Sequence, residues 1–310
     1  MKPDPKPEFD LTHARHDPMH CLCPGLFRSL LRGDRKKQKL DITYQHGDEL
    51  VRFIGFEPLD VTDMRLLQGL VALSGPHGLD LTPEPKTSLG NILRVAMKIG
   101  FDAEDQNAMM VKTSISGLLT EIGMTDGGLN IKAVIASLTR MSNVSVIVKR
   151  GSRTGSFQLM TFAIDENDGN LCVALNPRLT KAIVGGKHVR IDMGEVRALE
   201  SDPARLVHQR LCAWINPGSV GRIEIDTMCS YVWTDQASPE AMKKRRQAIR
   251  RSISELIKIG WLITEYSSGK FEILRNTCKL HPKSATQNDG KPATDYDPKS
   301  ATESNRKTTT

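Results

Sequence analysis

The sequence has no hydrophobic run long enough to cross a membrane. A membrane helix needs roughly eighteen or more consecutive apolar residues, and the 310-residue chain contains no such stretch. Its first ten residues are polar, charged and rich in proline, so they lack the apolar centre of a secretory signal peptide. We therefore expect a cytoplasmic protein without a membrane partner.

The sequence also lacks the cysteine patterns of disulfide-stapled and zinc-knuckle proteins. Its six cysteines include no Cys-x-x-Cys pair, and scattered cysteines in a cytosolic chain are ordinarily reduced thiols. One stretch concentrates residues of the types that bind metals, namely His13, His16, His20, Cys21 and Cys23. Pro18 and Pro24 interrupt this stretch, and no second set of ligands follows at a regular spacing. We expect no metal site there.

The absence of two motifs argues against catalysis. The chain has no GxxxxGK[ST] loop to cradle nucleotide phosphates. It also has no His-x-His pair to hold a metal beside a nucleophilic tyrosine, as rolling-circle nicking enzymes require. Since no other catalytic constellation emerges, the sequence predicts a protein that is not an enzyme and needs no cofactor.

Basic residues outnumber acidic ones. Lysine and arginine total 43 against 36 aspartates and glutamates, which gives a formal net charge of +7. On a cytosolic protein this excess favours a polyanionic partner, with nucleic acid ahead of a membrane surface. Because many basic proteins bind no acidic partner, the placement of the charges along the chain has to decide whether nucleic acid is the partner.

The two ends of the chain differ in composition from the part between them. Residues 1–40 combine proline, histidine and a basic run without sustained periodicity, which predicts a flexible N-terminal arm with one helical turn near Pro24. Residues 276–310 contain almost no apolar side chains. Such a segment cannot bury enough surface to offset the entropy of ordering, so we predict a disordered C-terminal tail.

Between these ends, the same order of elements occurs twice. In the first copy, residues 41–186, a helix opens at Val61 and stops at Gly75-Pro76. A strand near residues 109–112, a short helix at 113–121, a longer helix from Asp126 to about 141 and a hairpin over 144–162 follow. A strand near 171–175 and a helix at 177–184 complete this copy.

The second copy, residues 187–275, repeats the pattern with clearer signals. Cap-and-proline signals open helices at Ser201 and at Ser238, with a short strand and a short helix between them. The last helix ends at Gly260, and a hairpin from Trp261 to Leu274 follows. Helix, strand, helix, long helix and two-stranded wing is the winged-helix order, so we predict an α+β protein with two tandem winged-helix domains.

The long helix of the second copy separates apolar from basic side chains. At 100° per residue, Met242, Ile249 and Ile253 lie on one face and most of the basic residues on the other. The predicted DNA contacts are Lys243, Lys244, Arg245, Arg246, Gln247, Arg250 and Arg251. A charged helix face is often merely solvated, but its position just before a wing favours insertion into a major groove.

The corresponding helix of the first copy is less basic. Asn130, Lys132, Ser137 and Arg140 are its predicted DNA contacts, since they point away from the apolar stripe. In the predicted wing, Lys149, Arg150 and Arg153 would contact phosphate or the minor groove. A role of this copy in dimerisation is the alternative, so a homodimer stays open as a possible partner.

Several short motifs resemble one family. They are Arg15-His-Asp-Pro18 with Gly25-Leu-Phe27, Pro83-Glu-Pro-Lys-Thr87, Leu175-Asn-Pro177, His188-Val-Arg-Ile191 with Glu195-Val-Arg-Ala-Leu199, Leu206 to Trp214, Tyr231-Val-Trp233 and Lys244-Arg-Arg-Gln247. Over about residues 11–275 the chain resembles the RepC-type iteron-binding replication initiators of IncQ-type broad-host-range plasmids.

This resemblance implies a function. It implies binding of double-stranded DNA at directly repeated iterons of an origin, opening of adjacent AT-rich DNA, and cooperation with a separate plasmid helicase and primase. Two alternatives are a winged-helix transcriptional repressor that does not melt DNA and an origin-nicking enzyme. Duplex opening distinguishes the first alternative, and strand cleavage distinguishes the second.

Overall fold

The computed structural model describes residues 12–30, 33–81, 88–89, 92–93, 108–165 and 169–276. In these residues short helices alternate with small antiparallel sheets, which confirms the predicted α+β class. The predicted tail and the Pro83–Thr87 motif lie outside the described residues, apart from the first residue of the tail, Asn276. None of the helices described is long and apolar enough to span a bilayer.

The helices are α1 Pro18–Leu22, α2 Val61–His77, α3 Ile115–Glu121, α4 Gly128–Ser142, α5 Pro177–Val184, α6 Met193–Ala198, α7 Asp202–Trp214, α8 Ile225–Val232 and α9 Pro239–Lys258. The strands are β1 His13–His16, β2 Leu40–His46, β3 Glu49–Gly55, β4 Gly78–Leu81, β5 Ala108–Ser114, β6 Ser145–Arg150, β7 Arg153–Gln158, β8 Met160–Ile164, β9 Asn170–Leu175, β10 Val189–Asp192, β11 Val220–Glu224, β12 Leu262–Ser267 and β13 Lys270–Leu274.

In the second copy the elements follow the predicted order: α7, β11, α8, α9, β12 and β13. The strands form one three-stranded antiparallel sheet with β13 in the middle. The predicted helix starts are confirmed, because the Ser201 hydroxyl accepts from Ala204 N at 3.3 Å and the Ser238 hydroxyl from Ala241 N at 3.3 Å. These caps satisfy backbone groups that would otherwise lack partners.

The first copy has the same order, α2, β5, α3, α4, β6 and β7, but more strands. Strands β2 and β3 form a hairpin that the sequence analysis did not predict, and it extends the β6–β7 hairpin into the sheet β2-β3-β6-β7. Strand β7 passes through Leu159 into β8, which belongs to a second sheet, β4-β5-β9-β8. The first copy is therefore built around two sheets.

The predicted N-terminal arm is wrong for residues 12–30, which we call the N-terminal segment. Strand β1 pairs with β10, from His13 opposite Asp192 to His16 opposite Val189. Helix α1 buries Met19 completely. Too few apolar residues adjoin one another here to produce a period, but β1 contacts α2 and α5, and α1 contacts α7, which are far along the chain.

Asp17 fixes the start of α1. Its Oδ1 accepts hydrogen bonds from Met19 N and His20 N and lies 2.9 Å from His20 Nδ1. Burial alone would raise the pKa of Asp17, but His20 and the nearby Arg178 lower it to about 2. A depressed pKa contributes stability at neutral pH that is lost as the pH falls below about 4 toward 2.

The N-terminal segment also contacts the second copy near α8. Ser29 N donates to Val232 O at 3.0 Å. Gly25, at φ 74°, lies so close to Thr234 that an added Cβ would stand 2.6 Å from its Cγ2. One cluster of buried apolar side chains has members from both copies and from the N-terminal segment, between Ala14 and Ile273 in the sequence. The two copies therefore share one core, with the N-terminal segment packed between their elements.

Candidate nucleic-acid interface

Helix α9 exposes most of its predicted DNA contacts. Its apolar face buries Ile249, Ile253 and Leu256 against the core. On its solvent face, four predicted contacts are exposed and make no hydrogen bond or ion pair within the described part of the chain: Lys243, Lys244, Gln247 and Arg251. Three cations and one amide are thus available to an external partner.

The other three arginines of α9 differ from these residues because each pairs with a carboxylate. Arg246 makes a bidentate contact with Asp226 of α8, at 2.6 and 2.7 Å. Arg250 makes one with Glu265 of β12, at 2.6 and 2.9 Å. Both arginines remain about half exposed. Two planar guanidinium groups are therefore held in fixed orientations at the surface.

Arg245 is more enclosed. Its Nη2 lies 2.6 Å from Asp235 Oδ2, its Nη1 donates to Asp235 O at 2.9 Å, and its guanidinium stacks 5.4 Å from the Trp233 ring centre. Only 14% of its side chain is exposed. The DNA contact predicted at Arg245 is therefore corrected: this side chain holds the loop before α9 instead of facing solvent.

The carboxylates around α9 stay ionised over a wide pH range. The Arg250 guanidinium and Gly269 N lower the pKa of Glu265 to about 2. Hydrogen bonding to Arg246 likewise lowers the pKa of Asp226. Both carboxylates are therefore ionised at neutral pH, where they pair with their arginines.

Helix α4 of the first copy turns two predicted contacts inward. Ser137 is fully buried and its hydroxyl donates to Asp63 Oδ1. Arg140 Nη2 donates to the same oxygen at 2.8 Å, with 15% of its side chain exposed. Burial raises the pKa of Asp63 even though Arg140 opposes the shift. The DNA contacts predicted at Ser137 and Arg140 are therefore corrected: these residues bind α4 to α2.

The other two predicted contacts of α4 remain near the surface. Asn130 is half-buried, and its amide donates to Thr125 O at 2.7 Å, which secures the turn before the helix. Lys132 is exposed. Leu129, which the sequence analysis did not select, is 85% exposed at the start of the helix. The outer face of α4 thus offers one cation where α9 offers several.

The β6–β7 hairpin presents the predicted basic wing. Lys149 and Arg153 are exposed on either side of Gly151, which adopts φ 57° at the turn. Arg150 Nε donates to Asp48 Oδ2 at 2.7 Å, so it joins this turn to the β2–β3 turn. Two of the three predicted wing contacts are therefore free to meet a phosphate.

Lys270, which the sequence analysis did not select, lies in the hairpin predicted to be the second wing. It follows the β12–β13 turn, is exposed, and lies 3.3 Å from Glu224 Oε1. The signal was a lysine next to the Ser267-Ser268-Gly269 turn that follows α9, where a wing meets phosphate.

In the His/Cys stretch, His16, His20, Cys21 and Cys23 are buried, and His20 Nδ1 lies 2.9 Å from Asp17 Oδ1. Among the described residues, three possible metal ligands converge elsewhere, at Glu195, His208 and Cys212.

Comparisons with known proteins agree with this architecture. A family model described as replication protein C (RepC) matches residues 8–277. Two crystal structures of domains 2 and 3 of RctB have a similar fold. The first, of selenomethionine derivatives, has a TM-score of 0.50 at 10% sequence identity, and the match covers 83% of this chain and 97% of that chain. The other has a TM-score of 0.52 at 9% identity, covering 83% and 96%.

No match was found among curated proteins. The family match nevertheless covers most of the chain and confirms the resemblance seen in the sequence. The chain therefore belongs to the replication protein C (RepC) family of replication initiators.

Proposed function

We propose that this protein binds double-stranded DNA at directly repeated iterons of a plasmid origin through two winged-helix domains. It then opens adjacent AT-rich duplex for a separate helicase and primase, and cuts no strand itself. The observation that carries the proposal is α9, a capped helix of 20 residues whose exposed face has free cations and which leads into the β12–β13 hairpin.

The winged-helix assignment is supported by connectivity. Helix α7, strand β11, helices α8 and α9 and the β12–β13 hairpin follow in the order of that motif, with all three strands in one sheet. The third helix of such a domain enters the major groove, which is about 12 Å wide and admits one α-helix. At 1.5 Å per residue α9 is about 30 Å long, so only its N-terminal half needs to lie in the groove.

The exposed side chains of α9 divide into two chemical roles. Lys243, Lys244 and Arg251 supply charges that bind phosphates and release counterions. Gln247 can make a bidentate pair with adenine, and Arg246 can make one with guanine. Asp226 holds the Arg246 guanidinium in one plane before DNA arrives, which lowers the entropy that this contact would lose on binding.

The first copy supplies fewer contacts. Its exposed predicted cations are Lys132, Lys149 and Arg153, together with Arg150, which pairs with Asp48. They suit phosphate contacts more than base reading. We propose that the first copy positions the protein on DNA while α9 reads the repeat. The exposed Leu129 would suit a thymine methyl group or a second copy of the chain.

Footprinting on a supercoiled plasmid carrying the cognate origin tests the proposal. The full chain is expected to protect the repeats from nuclease and to make thymines in the adjacent AT-rich segment reactive to permanganate. Protection without permanganate reactivity would identify a repressor, and relaxation of the plasmid would identify a nicking enzyme. Equal affinity for repeats and random duplex would contradict iteron recognition.

A further inference from the structure

A buried cluster of three side chains joins α6 to α7 behind the proposed DNA-binding helix. Glu195 Oε2 lies 2.7 Å from His208 Nε2, and Cys212 Sγ lies 3.5 Å from the same nitrogen. One carboxylate oxygen, one imidazole nitrogen and one sulfur therefore converge within 4.8 Å of one another. These are the ligand types that Zn²⁺ prefers in proteins.

The backbone sets up this convergence. His208 and Cys212 are four residues apart on α7, so both side chains lie on one face of the helix. Asp192 caps α6 by accepting from Gly194 N and Glu195 N, which places Glu195 in the first turn. Two helices thus present three ligands to one point.

An outer contact orients the carboxylate. Trp261 Nε1 donates to Glu195 Oε2 at 3.2 Å, and its ring packs against the His208 ring with centroids 5.7 Å apart. Metal-binding side chains are commonly held by such second contacts. Trp261 directly precedes β12, so the cluster also reaches the hairpin that follows α9.

Burial and charge favour a cation at this point. His208 and Cys212 are 1% and 3% exposed, whereas a quarter of the Glu195 side chain faces solvent. A carboxylate in such a setting is costly unless a positive charge compensates it, which either a protonated His208 or a metal ion can supply. Because Glu195 is the exposed member of the cluster, an ion and a water molecule as fourth ligand would reach the cluster from its side.

We propose that Glu195, His208 and Cys212 bind one Zn²⁺ ion that locks α6, α7 and the start of β12 together. With Zn–N and Zn–S bonds of about 2.0 to 2.3 Å, tetrahedral ligand atoms stand roughly 3.3 to 3.7 Å apart. The Cys212–His208 separation meets this range already. To bind the same ion, Glu195 Oε2 would have to move from 2.7 Å to about 3.3 Å from His208 Nε2 and lie within about 3.7 Å of Cys212 Sγ.

Metal analysis of the full chain tests this proposal independently of DNA binding. The protein is expressed in zinc-supplemented medium with a tag that lacks histidine, and zinc is measured after gel filtration. Competitive Zn²⁺ titration with a chromogenic chelator then gives the affinity. Replacement by Co²⁺ should produce a thiolate charge-transfer band together with the visible bands of tetrahedral cobalt.

Three variants give graded expectations. Cys212→Ser keeps the size of the side chain and should weaken zinc binding more than about 100-fold and abolish the charge-transfer band. Trp261→Phe removes the outer contact and should weaken it about 10- to 100-fold. Cys229→Ser changes a buried thiol of α8 outside the cluster and should have no effect. Circular dichroism confirms that each variant is folded.

The proposal is overturned if the wild-type chain binds no zinc, or if Cys212→Ser binds zinc as tightly as Cys229→Ser does. Should Cys212→Ser fail to fold, Glu195→Gln serves in its place, because the amide keeps the size and a hydrogen-bond acceptor but binds zinc poorly. Unchanged zinc affinity in Glu195→Gln would equally exclude the site.

Discussion

Helices α4 and α9 occupy the same place in two copies of one element order, yet they present different chemistry. The acidic partners of helix α9 lie at the solvent-exposed edge of the helix, which we call its rim. There Asp226 and Glu265 hold arginines that are still about half exposed. Helix α4 has its acidic partner underneath, because Asp63 of α2 is fully buried and binds Ser137 and Arg140. The position of one carboxylate decides whether a polar helix face meets solvent or a neighbouring helix.

The depth of the carboxylate distinguishes the two helices, because both contain arginine–carboxylate pairs with similar distances. A pair at the rim leaves its arginine about half exposed, so the arginine can also contact a phosphate or a base. A buried pair cannot be opened without leaving charges unsatisfied. The number of arginines on a helix therefore says less about DNA binding than the depth of the groups that hold them.

The largest effect should come from Asp63→Ala. Removing this carboxylate leaves Arg140 and Ser137 without their partner, whereas Arg35 keeps its second carboxylate, Asp60. Breaking a buried pair from one side typically costs about 3–5 kcal/mol of unfolding free energy. Urea denaturation followed by circular dichroism measures this loss.

Asp226→Ala is the matched control. It breaks an ion pair of similar geometry at the rim of α9, where about half of each side chain is exposed. Exposed pairs contribute about 0 to 1 kcal/mol, so this variant should be close to the wild type in stability. Equal destabilisation by both substitutions would contradict the distinction between buried and rim carboxylates.

The next largest effect should be a loss of affinity for DNA. The triple variant Lys243→Ala, Lys244→Ala and Arg251→Ala removes the three free cations of α9. If each binds one phosphate, the slope of log affinity against log salt should fall by about 2.7, at roughly 0.9 per contact. We expect affinity for an origin repeat to fall about 100-fold, or about 2.8 kcal/mol. Fluorescence anisotropy over a range of salt concentrations measures both.

A second triple variant controls for net charge. Lys36, Lys37 and Lys39 are exposed and lie in and beside the 3-10 turn Arg35–Lys37, outside both helices. Their replacement by alanine changes the charge equally but should alter the slope by less than one unit. If both triple variants lose the same affinity, binding reflects net charge and not the face of α9.

The sequence predicted α9 well because its signals are local. A serine cap, a proline at the first turn and a helical apolar period lie within twenty residues, and the structure starts the helix at Pro239. The same periodicity could not show that Asp63, 74 residues before Ser137, meets the polar face of α4. Residue spacing shows which side of a helix is polar, but not what packs against it.

The prediction for the N-terminal segment was wrong for the same reason. Strand β1 has four residues, and its partner β10 lies more than 170 residues away. Predicting its burial requires knowing the rest of the core. The pairing also bears on domain boundaries: a fragment starting at residue 187 would lose β1 from the edge of β10, so it cannot report on the second copy alone. Substitutions in the full chain are the better test.

Gln247→Ala should have a smaller and more selective effect. Its side chain is exposed and makes no hydrogen bond within the described residues, so its removal leaves the fold intact. Loss of one bidentate base contact should cost about 1–2 kcal/mol on the cognate repeat. On random duplex the cost should be near zero. Equal losses on both DNAs would show that α9 only positions the protein, as Lys243→Ala is expected to do.

The smallest effect should come from Lys132→Ala, which tests whether α4 contacts DNA at all. Lys132 and Lys243 are exposed lysines on corresponding helices, so the two alanine variants form a matched pair. If the first copy makes phosphate contacts, Lys132→Ala should lower the salt slope by up to about 0.9 and affinity less than about threefold. A loss equal to that of Lys243→Ala would mean that the two helices contribute alike, despite the inward turn of Ser137 and Arg140. No change in slope would assign the outer face of α4 to a protein contact. In that case Leu129→Ser should reduce self-association, measured by sedimentation, while leaving DNA affinity unchanged.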